Sequence, residues 1–270
     1  MRFIVFAVLF LSSISGFAQD AFPSSGGRFE AVNGAGIALQ DTWSIMQNQA
    51  GLASAEQFSA GAFFQNRFGL SELSVLSLAL VQPLENQVLG LSVNTYGFQN
   101  YRRSRIGLAY ARKLGEDLDV GVQLAYHQVQ LGGTYGSANT FTVEGGFRYQ
   151  LNDEVAIAAH IFNPNRSRLA DFNNESVPSV IRTGIAWEIS KKVLFLAEVH
   201  QVFDEKVGVR TGVEYHAVDP LYIRVGAGSR PDLFSFGLGY VYKQLSIDVA
   251  ASYEQVLGVQ PMISLTYHAQ

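Results

Sequence analysis

The sequence predicts an all-β protein, an antiparallel transmembrane β-barrel of about fourteen strands with an N-terminal segment in its lumen. Three observations lead to this prediction. Strand-length runs repeat along most of the chain, apolar and polar residues alternate within them, and aromatic residues recur at one end of every second run. Soluble sheets have no need of such regularly placed aromatic rings.

The aromatic residues lie near the ends of alternate predicted strands, shortly before tight turns. In a transmembrane barrel an outward-facing ring at this position lies at the lipid headgroup level, which amphipathic rings prefer. The residues of this predicted periplasmic girdle are Tyr110, Tyr149, Trp187, Tyr215, Tyr240, Tyr242 and Tyr267.

The first residues have the pattern of a secretory signal peptide. A basic start at Arg2 precedes a short apolar run over residues 3–11, and Gly16-Phe17-Ala18 has the small-x-small form that precedes cleavage. We therefore expect a signal peptide over 1–18, cleaved near Ala18.

Three segments follow from this reading: the signal peptide over 1–18, an N-terminal periplasmic or lumen plug segment over 19–55, and an outer-membrane β-barrel over 56–270. Beyond the signal peptide there is no run of eighteen apolar residues. A membrane-spanning mature chain would therefore cross a Gram-negative outer membrane with strands.

Composition agrees with a barrel and excludes other classes. Hydrophobic residues make up 48% of the chain and charged residues 16%, with 26 glycines and a net charge of -4. Without a basic run, nucleic acid is not an expected partner. Without cysteine, neither a lipoprotein anchor nor a disulfide framework is available.

The predicted strands have the length that a tilted barrel strand needs to cross a bilayer, roughly 10 to 14 residues. Their number is even, as in bacterial single-chain barrels. Their spans are 56–67, 71–82, 86–98, 103–113, 117–131, 138–151, 154–163, 178–190, 192–203, 206–217, 220–229, 233–243, 244–254 and 260–270.

Alternation is clearest in the second half of the chain. Ile181, Ile185 and Trp187 share one face of their predicted strand, and Arg182 and Glu188 share the other. Apolar residues outside and polar residues inside is the pattern of a membrane barrel. Residues 56–82 alternate poorly. Turns on the side assigned to the periplasm are short, and only the connection over 163–178 on the other side is long.

Charged residues on the predicted inward faces alternate in sign from strand to strand, so neighbours can pair across the wall. The functional interpretation is a selectivity filter or ligand clamp, and the alternative is a structural network that rigidifies a closed barrel. The members of this predicted lumen charge network are Glu144, Arg148, Arg182, Glu188, Glu198, Arg210, Glu214, Arg224 and Asp248.

Candidate catalytic or metal-binding groups are sparse. The chain has five histidines, which fall on different predicted strands without the spacing of a metal site. Four of them, His160, His200, His216 and His268, are predicted to point inward. The fifth is His127. Ser235 lacks the surroundings of a catalytic serine. We expect neither an enzyme nor a cofactor.

A Gly-rich stretch, an Asp and an Asn-x-Ala-Gly-Leu sequence follow one another before the first strand. The residues of this motif are Gly34, Gly36, Asp41, Trp43, Asn48, Ala50, Gly51 and Leu52. Together with Gly212-Val213-Glu214-Tyr215 and residues 234–240, the motif resembles the FadL-like barrels and their PorV and PorQ relatives of type IX secretion. Gln49 stands where that family has proline.

This resemblance implies a fourteen-stranded barrel whose N-terminal segment enters the lumen from the periplasm. The segment has Leu39, Trp43 and Ile45 to bury, and the alternative is a loose periplasmic leader. The connections on the extracellular side are short, whereas fatty-acid uptake of the FadL kind depends on long extracellular loops.

We therefore expect a non-enzymatic outer-membrane barrel that acts as an accessory or interaction subunit, in type IX secretion or surface attachment in a Bacteroidota-like organism. The alternative is a FadL-like passive transporter of hydrophobic small molecules. Expected partners are outer-membrane lipid, a protein of a secretion or attachment complex and, for the alternative, a hydrophobic ligand.

Overall fold

The computed structural model describes residues 26–67, 69–132, 136–169, 175–230, 233–254 and 258–269. The predicted signal peptide over 1–18 and the first residues of the predicted N-terminal segment, 19–25, lie outside the described residues. Within the described part of the chain, no helix is long and apolar enough to cross a membrane.

Fourteen strands of the described chain close into one antiparallel barrel. Closure occurs between the first and last strands, where Ser59 lies opposite His268 and Gln65 opposite Met262. The strands are β1 (Ser59–Asn66), β2 (Ser74–Leu84), β3 (Gln87–Phe98), β4 (Tyr101–Leu114), β5 (Leu118–Leu131), β6 (Ser137–Gln150), β7 (Val155–Phe162), β10 (Val180–Ser190), β11 (Val193–Val202), β12 (Gly208–Val218), β13 (Leu221–Gly228), β14 (Leu233–Tyr242), β15 (Leu245–Glu254) and β16 (Gly258–His268). A separate two-stranded ladder, β8 (Arg168–Leu169) with β9 (Glu175–Ser176), lies in the connection between β7 and β10.

The predicted all-β barrel and its strand number are confirmed. Each predicted span overlaps one barrel strand, with bounds that differ by a few residues. The largest differences include the first two strands, which begin at Ser59 and Ser74 rather than at 56 and 71. Residues Ser71–Leu73 form a short 3-10 helix ahead of β2 instead of extending it.

The two ends of the barrel differ. At one end, here called the hairpin end, the connections are short, such as residues 85–86, 191–192 and 243–244. At the other, the loop end, the connection between β7 and β10 spans residues 163–179. Since β1 starts and β16 finishes at the hairpin end, the N-terminal segment approaches the barrel from that end.

The two faces of the wall differ sharply in chemistry. Inward-facing Arg182, Glu198 and Arg224 are buried, while each has an exposed apolar neighbour on the outward face: Ile181, Val199 and Val225. Val249, in the middle of β15, is 52% exposed. Large exposed outward side chains occur on strands all around the barrel and include Leu78, Leu108, Val122, Phe141, Ile181, Val209, Phe236, Val249 and Ile263. The wall therefore carries an apolar belt outside and a polar lining inside.

The segment before β1 is irregular but ordered. It contains the helix α1 (Gly27–Ala31) and two 3-10 helices, Thr42–Met46 and Gln49–Leu52. The Asp41 carboxylate accepts a hydrogen bond from the Trp43 amide and caps the first 3-10 helix, and the Asn48 side chain caps the second in the same way. These caps satisfy backbone amides at the starts of the two short helices.

The wall is uneven at the loop end. β7 has 8 residues and β6 has 14. β7 therefore ends at Phe162, opposite Glu144, and the part of β6 nearest the loop end has no strand partner on that side. The chain after β7 supplies a hydrogen bond in its place: the backbone N–H of Asn163 donates to the Val143 carbonyl at 3.0 Å. Leu169 of β8 then packs in a small apolar cluster with the inward-facing Val129 and Ala138.

Candidate functional site in the barrel lumen

The N-terminal segment lies among the inward-facing side chains of the wall. Trp43 is buried; its Nε1 donates to Thr266 Oγ1 at 3.0 Å, and its ring packs edge-on against Phe63. Asn48 Nδ2 donates to the Phe147 carbonyl at 3.2 Å. Because Thr266 and Phe147 lie on β16 and β6, on well-separated parts of the wall, the segment extends across the lumen.

Inward-facing glycines receive this segment. A Cβ at Gly121 of β5 would overlap the backbone of Gln49 and Ala50, and one at Gly226 of β13 would overlap that of Val32 and Asn33. Further inward glycines lie against the segment on β1, β3, β10, β12 and β14, namely Gly61, Gly90, Gly184, Gly212 and Gly237. The wall is thus shaped to the segment on nearly every side.

An ionic network joins the segment to the wall near the hairpin end. The Arg28 guanidinium donates from Nε and Nη2 to both oxygens of Glu214, each at 2.9 Å, and from Nη1 to Asp41 at 3.1 Å. Arg224 donates to Glu214 at 2.5 Å and to Asp248 at 2.6 Å. Burial lowers the pKa of Arg28, but the carboxylates of Glu214 and Asp41 outweigh it and raise the pKa well above its ordinary value. Arg28 therefore stays charged throughout the accessible pH range.

A second ionic group lies deeper in the lumen. Arg182 is 1% exposed and makes a two-point ion pair with Glu198, with both distances 2.7 Å. The same guanidinium donates to the Gly34 carbonyl at 3.0 Å and to Gln47 Oε1. Arg210 Nη1 lies 4.0 Å from Glu198. One wall arginine thus neutralises a carboxylate and holds the N-terminal backbone at once.

The wall of β4 to β7 carries two further ionic groups. Arg148 donates to the Ala38 carbonyl at 2.9 Å and lies 3.4 Å from Asp119, which also accepts from Gln40. Glu144 pairs with Arg105 and lies 3.3 Å from His160 Nε2.

The structure places the residues of the predicted charge network as follows. Glu144, Arg148, Arg182, Glu198, Arg210, Glu214, Arg224 and Asp248 all face inward and take part in ion pairs. Glu188 is exposed near the hairpin end, next to a register shift between β10 and β11. The sequence analysis did not predict three residues that form ion pairs with this network: Arg28, Asp119 and Arg105. Arg28 precedes the strands and follows no strand pattern. The alternation of inward and outward residues in β4 and β5 would have placed Arg105 and Asp119 on the inward face.

The residues of the predicted N-terminal motif are buried, apart from the half-buried Asp41. Gly34 has a positive φ of 71°, which favours glycine, and a Cβ at Gly51 would overlap the Leu39 carbonyl. Gln49, which stands in place of the family's proline, has its Oε1 3.2 Å from His160 Nε2.

The histidines do not come together. His127 faces inward beside Thr142, His160 lies beside Glu144, and His216 stacks on Tyr222 near the hairpin end. His200 lies near the loop end of β11, and His268 ends β16. In the described part of the chain, no group of three or more His, Asp or Glu side chains could hold a metal ion.

The residues of the predicted aromatic girdle all lie on strands that run toward the hairpin end. Tyr110, Tyr149, Trp187, Tyr215, Tyr240, Tyr242 and Tyr267 are exposed. A cavity of about 200 Å³ lies inside the wall at the same end, lined by the ionic network of Arg28 together with Tyr222, Thr266 and His268.

Several solved structures have the same fold over nearly the whole chain. The toluene transporter TbuX of Ralstonia pickettii superposes with a TM-score of 0.70 over 92% of this chain and 99% of its own, at 14% sequence identity. The toluene transporter TodX of Pseudomonas putida gives 0.67 over 93% and 99%, at 13% identity. A FadL homologue of Pseudomonas aeruginosa gives 0.65 over 92% and 98%, at 11% identity.

At these identities the comparisons establish the fold. The expected likeness to FadL-type barrels is confirmed at that level, whereas the PorV and PorQ relationship, the Bacteroidota setting and type IX secretion gain no support. Two of the three proteins are toluene transporters. No protein-family model and no curated protein sequence matches the chain.

Proposed function

We propose that the protein is an outer-membrane barrel that passes small hydrophobic molecules, and that its N-terminal segment closes the lumen and must shift to let them through. The observation that carries the proposal is a transporter-type barrel with an apolar segment seated across its lumen. The exposed outward belt supports insertion in a bilayer, because apolar surface of this extent is costly in water.

The orientation follows from the two ends. Short turns are typical of the periplasmic side of outer-membrane barrels and longer loops of the outer side, so we assign the hairpin end to the periplasm and the loop end to the cell exterior. This assignment agrees with a signal peptide over 1–18 and with a segment that enters the lumen from the periplasm.

The need for movement follows from the fit. Trp43, Ile45 and Leu52 are buried among the wall side chains, and glycines on widely spaced strands touch the segment. Interiors packed in this way leave no path past the segment for a solute the size of toluene. Passage therefore requires a second conformation of the segment. A ligand can favour that conformation only if it binds the protein more tightly in it than in the closed one.

Uptake of a labelled hydrocarbon tests the proposal. Gram-negative host cells without a hydrocarbon channel should take up ethylbenzene faster when they produce the full-length protein in their outer membrane. A matched culture that produces an unrelated outer-membrane barrel controls for membrane damage. Equal initial rates in the two cultures, with the protein folded and inserted, would remove the transport proposal.

A further inference from the structure

The wall also contains a buried polar cluster. One contact, between His160 of the cluster and Gln49, joins it to the N-terminal segment. The cluster consists of Ser92 on β3, Arg105 on β4, Gln123 on β5, Glu144 on β6 and His160 on β7, and we call it the Glu144 cluster. All five side chains are buried. Glu144 is at its centre: it accepts from Arg105 and from Gln123 Nε2 at 2.9 Å, and it lies beside His160.

Polar atoms of this cluster remain without partners. Among the described residues, the buried atoms with no hydrogen bond include Ser92 Oγ, Arg105 Nε and Nη1, Gln123 Oε1 and His160 Nδ1. Leaving a buried donor or acceptor unpaired destabilises the folded protein. So many in one place is unusual for a folded protein and indicates a site that takes up a polar group.

The unpaired atoms are both donors and acceptors. Arg105 can only donate, and Gln123 Oε1 can only accept. His160 Nε2 faces the acceptors Glu144 Oε2 and Gln49 Oε1, so Nε2 carries a proton. The Ser92 hydroxyl can do either. A group that fits all of them must itself both donate and accept.

The cluster lies between the N-terminal segment and the loop end. Gln49 of the segment contacts His160 from the hairpin side. Toward the loop end, the inward-facing Asn94, Arg103 and Thr140 are only partly buried. The Phe162 ring, which belongs to the same wall, lies 6.0 Å from the Arg105 guanidinium carbon. A solute that comes from the loop end would therefore meet the cluster, with an aromatic ring beside it, before it meets the segment.

We propose that the Glu144 cluster binds the hydroxyl group of a neutral, otherwise apolar solute, of which an alkylphenol is the simplest example. This rests on the proposed transport function and narrows its substrate class. The hydroxyl donates to Gln123 Oε1 and accepts from Arg105 or Ser92. A plain hydrocarbon leaves every one of these atoms unpaired. A carboxylate has no proton to donate and is repelled by Glu144.

Three ligands that share an ethylphenyl group and differ in its para substituent separate these chemistries: ethylbenzene, 4-ethylphenol and 4-ethylbenzoate. Their binding to the full-length protein in lipid nanodiscs is measured by calorimetry, with empty nanodiscs subtracted. We expect 4-ethylphenol to bind about tenfold more tightly than ethylbenzene, as one or two net hydrogen bonds would give, and 4-ethylbenzoate to bind most weakly.

Two substitutions test where the preference comes from. Ser92→Ala removes an unpaired hydroxyl without touching the contacts of Glu144, and Gln123→Met removes an unpaired acceptor. Each should cut the preference for 4-ethylphenol over ethylbenzene severalfold. Ser252→Ala, a buried inward serine on β15, is the matched control and should keep it. Heat-dependent gel migration checks that each variant forms a closed barrel.

The outcomes separate this inference from the transport proposal. Binding of ethylbenzene and 4-ethylphenol with equal affinity would overturn the inference, since the cluster would then be hydrated only, and would leave transport standing. Tightest binding of 4-ethylbenzoate, or an unchanged preference in both cluster variants, would also overturn it. Failure of all three ligands to bind would count against the transport proposal itself.

Discussion

Single residues decide which face of the wall meets lipid. In β15 the alternation is strict: Ile247 and Val249 are exposed, and Asp248 and Ala250 between them are buried. A shift by one residue would exchange the two faces, so each outward position is a direct test of the register.

Val249→Arg tests this register. Val249 lies at the middle of its strand, where an arginine in the bilayer centre should cost about 2–4 kcal/mol of folding free energy. Val218→Arg is the matched control, because Val218 is also exposed but ends β12 at the hairpin end, where the cost should be about 0–1 kcal/mol. Urea unfolding in lipid vesicles measures both. Equal costs at the two positions would contradict the assignment of a lipid belt.

The same alternation decides for which strands the inward face could be predicted from the sequence. The strands around Arg182, Glu214 and Asp248 alternate charged and apolar residues, so their inward faces can be assigned directly. β1 and β2 face inward with small residues such as Gly61, Ser77 and Ala79, which makes the hydrophobic pattern weak although the strand geometry is regular.

Among the elements, the irregular N-terminal segment was the hardest to place from the sequence. Its glycines and apolar residues indicate burial, but its partners on the wall, such as the pairing of Arg28 with Glu214, follow no periodicity. The short span of β7 was predicted to within one residue at each end, at 154–163. The hydrogen bonds that replace its missing pairs with β6 were not predicted, because they come from the connection after it.

Gly121→Ala tests how the segment is seated. The added methyl group on β5 would overlap the backbone of Gln49 and Ala50, so the segment should loosen while the wall stays intact. Arg28 is the single Lys or Arg between residues 26 and 55, and trypsin cleavage after it reports the loosening. We expect faster cleavage in Gly121→Ala than in the native protein, with heat-dependent gel migration retained.

Gly145→Ala is the control for this substitution, because Gly145 faces outward on the neighbouring strand β6 and does not approach the segment. Its cleavage rate should match that of the native protein. Equal rates in all three proteins would mean that the inward glycine does not seat the segment.

For the whole molecule, the segment and the wall act as separable parts. Every barrel strand pairs with its neighbours without help from residues before Ser59, so the wall should survive removal of the segment. The lumen would lose Trp43, Ile45 and Leu52, which are among the large buried apolar residues of the segment.

Deletion of residues 31–53 should therefore open a water-filled path. In planar bilayers the deletion variant should conduct ions in discrete steps, and the full-length protein should not. Steady conductance of the full-length protein would show that its lumen is open without any movement of the segment.

The most direct test of the account asks whether the segment must move during transport. Thr42 Oγ1 lies 2.8 Å from Ser59 Oγ, so cysteines at both positions are close enough for a disulfide that ties the segment to β1, and the chain contains no other cysteine. The Thr42→Cys/Ser59→Cys protein is compared in its oxidised and reduced forms for ethylbenzene uptake into cells, with the native protein given the same oxidant. We expect the oxidised form to fall to the rate of cells without the protein and the reduced form to recover. Undiminished uptake by the oxidised protein would contradict the account.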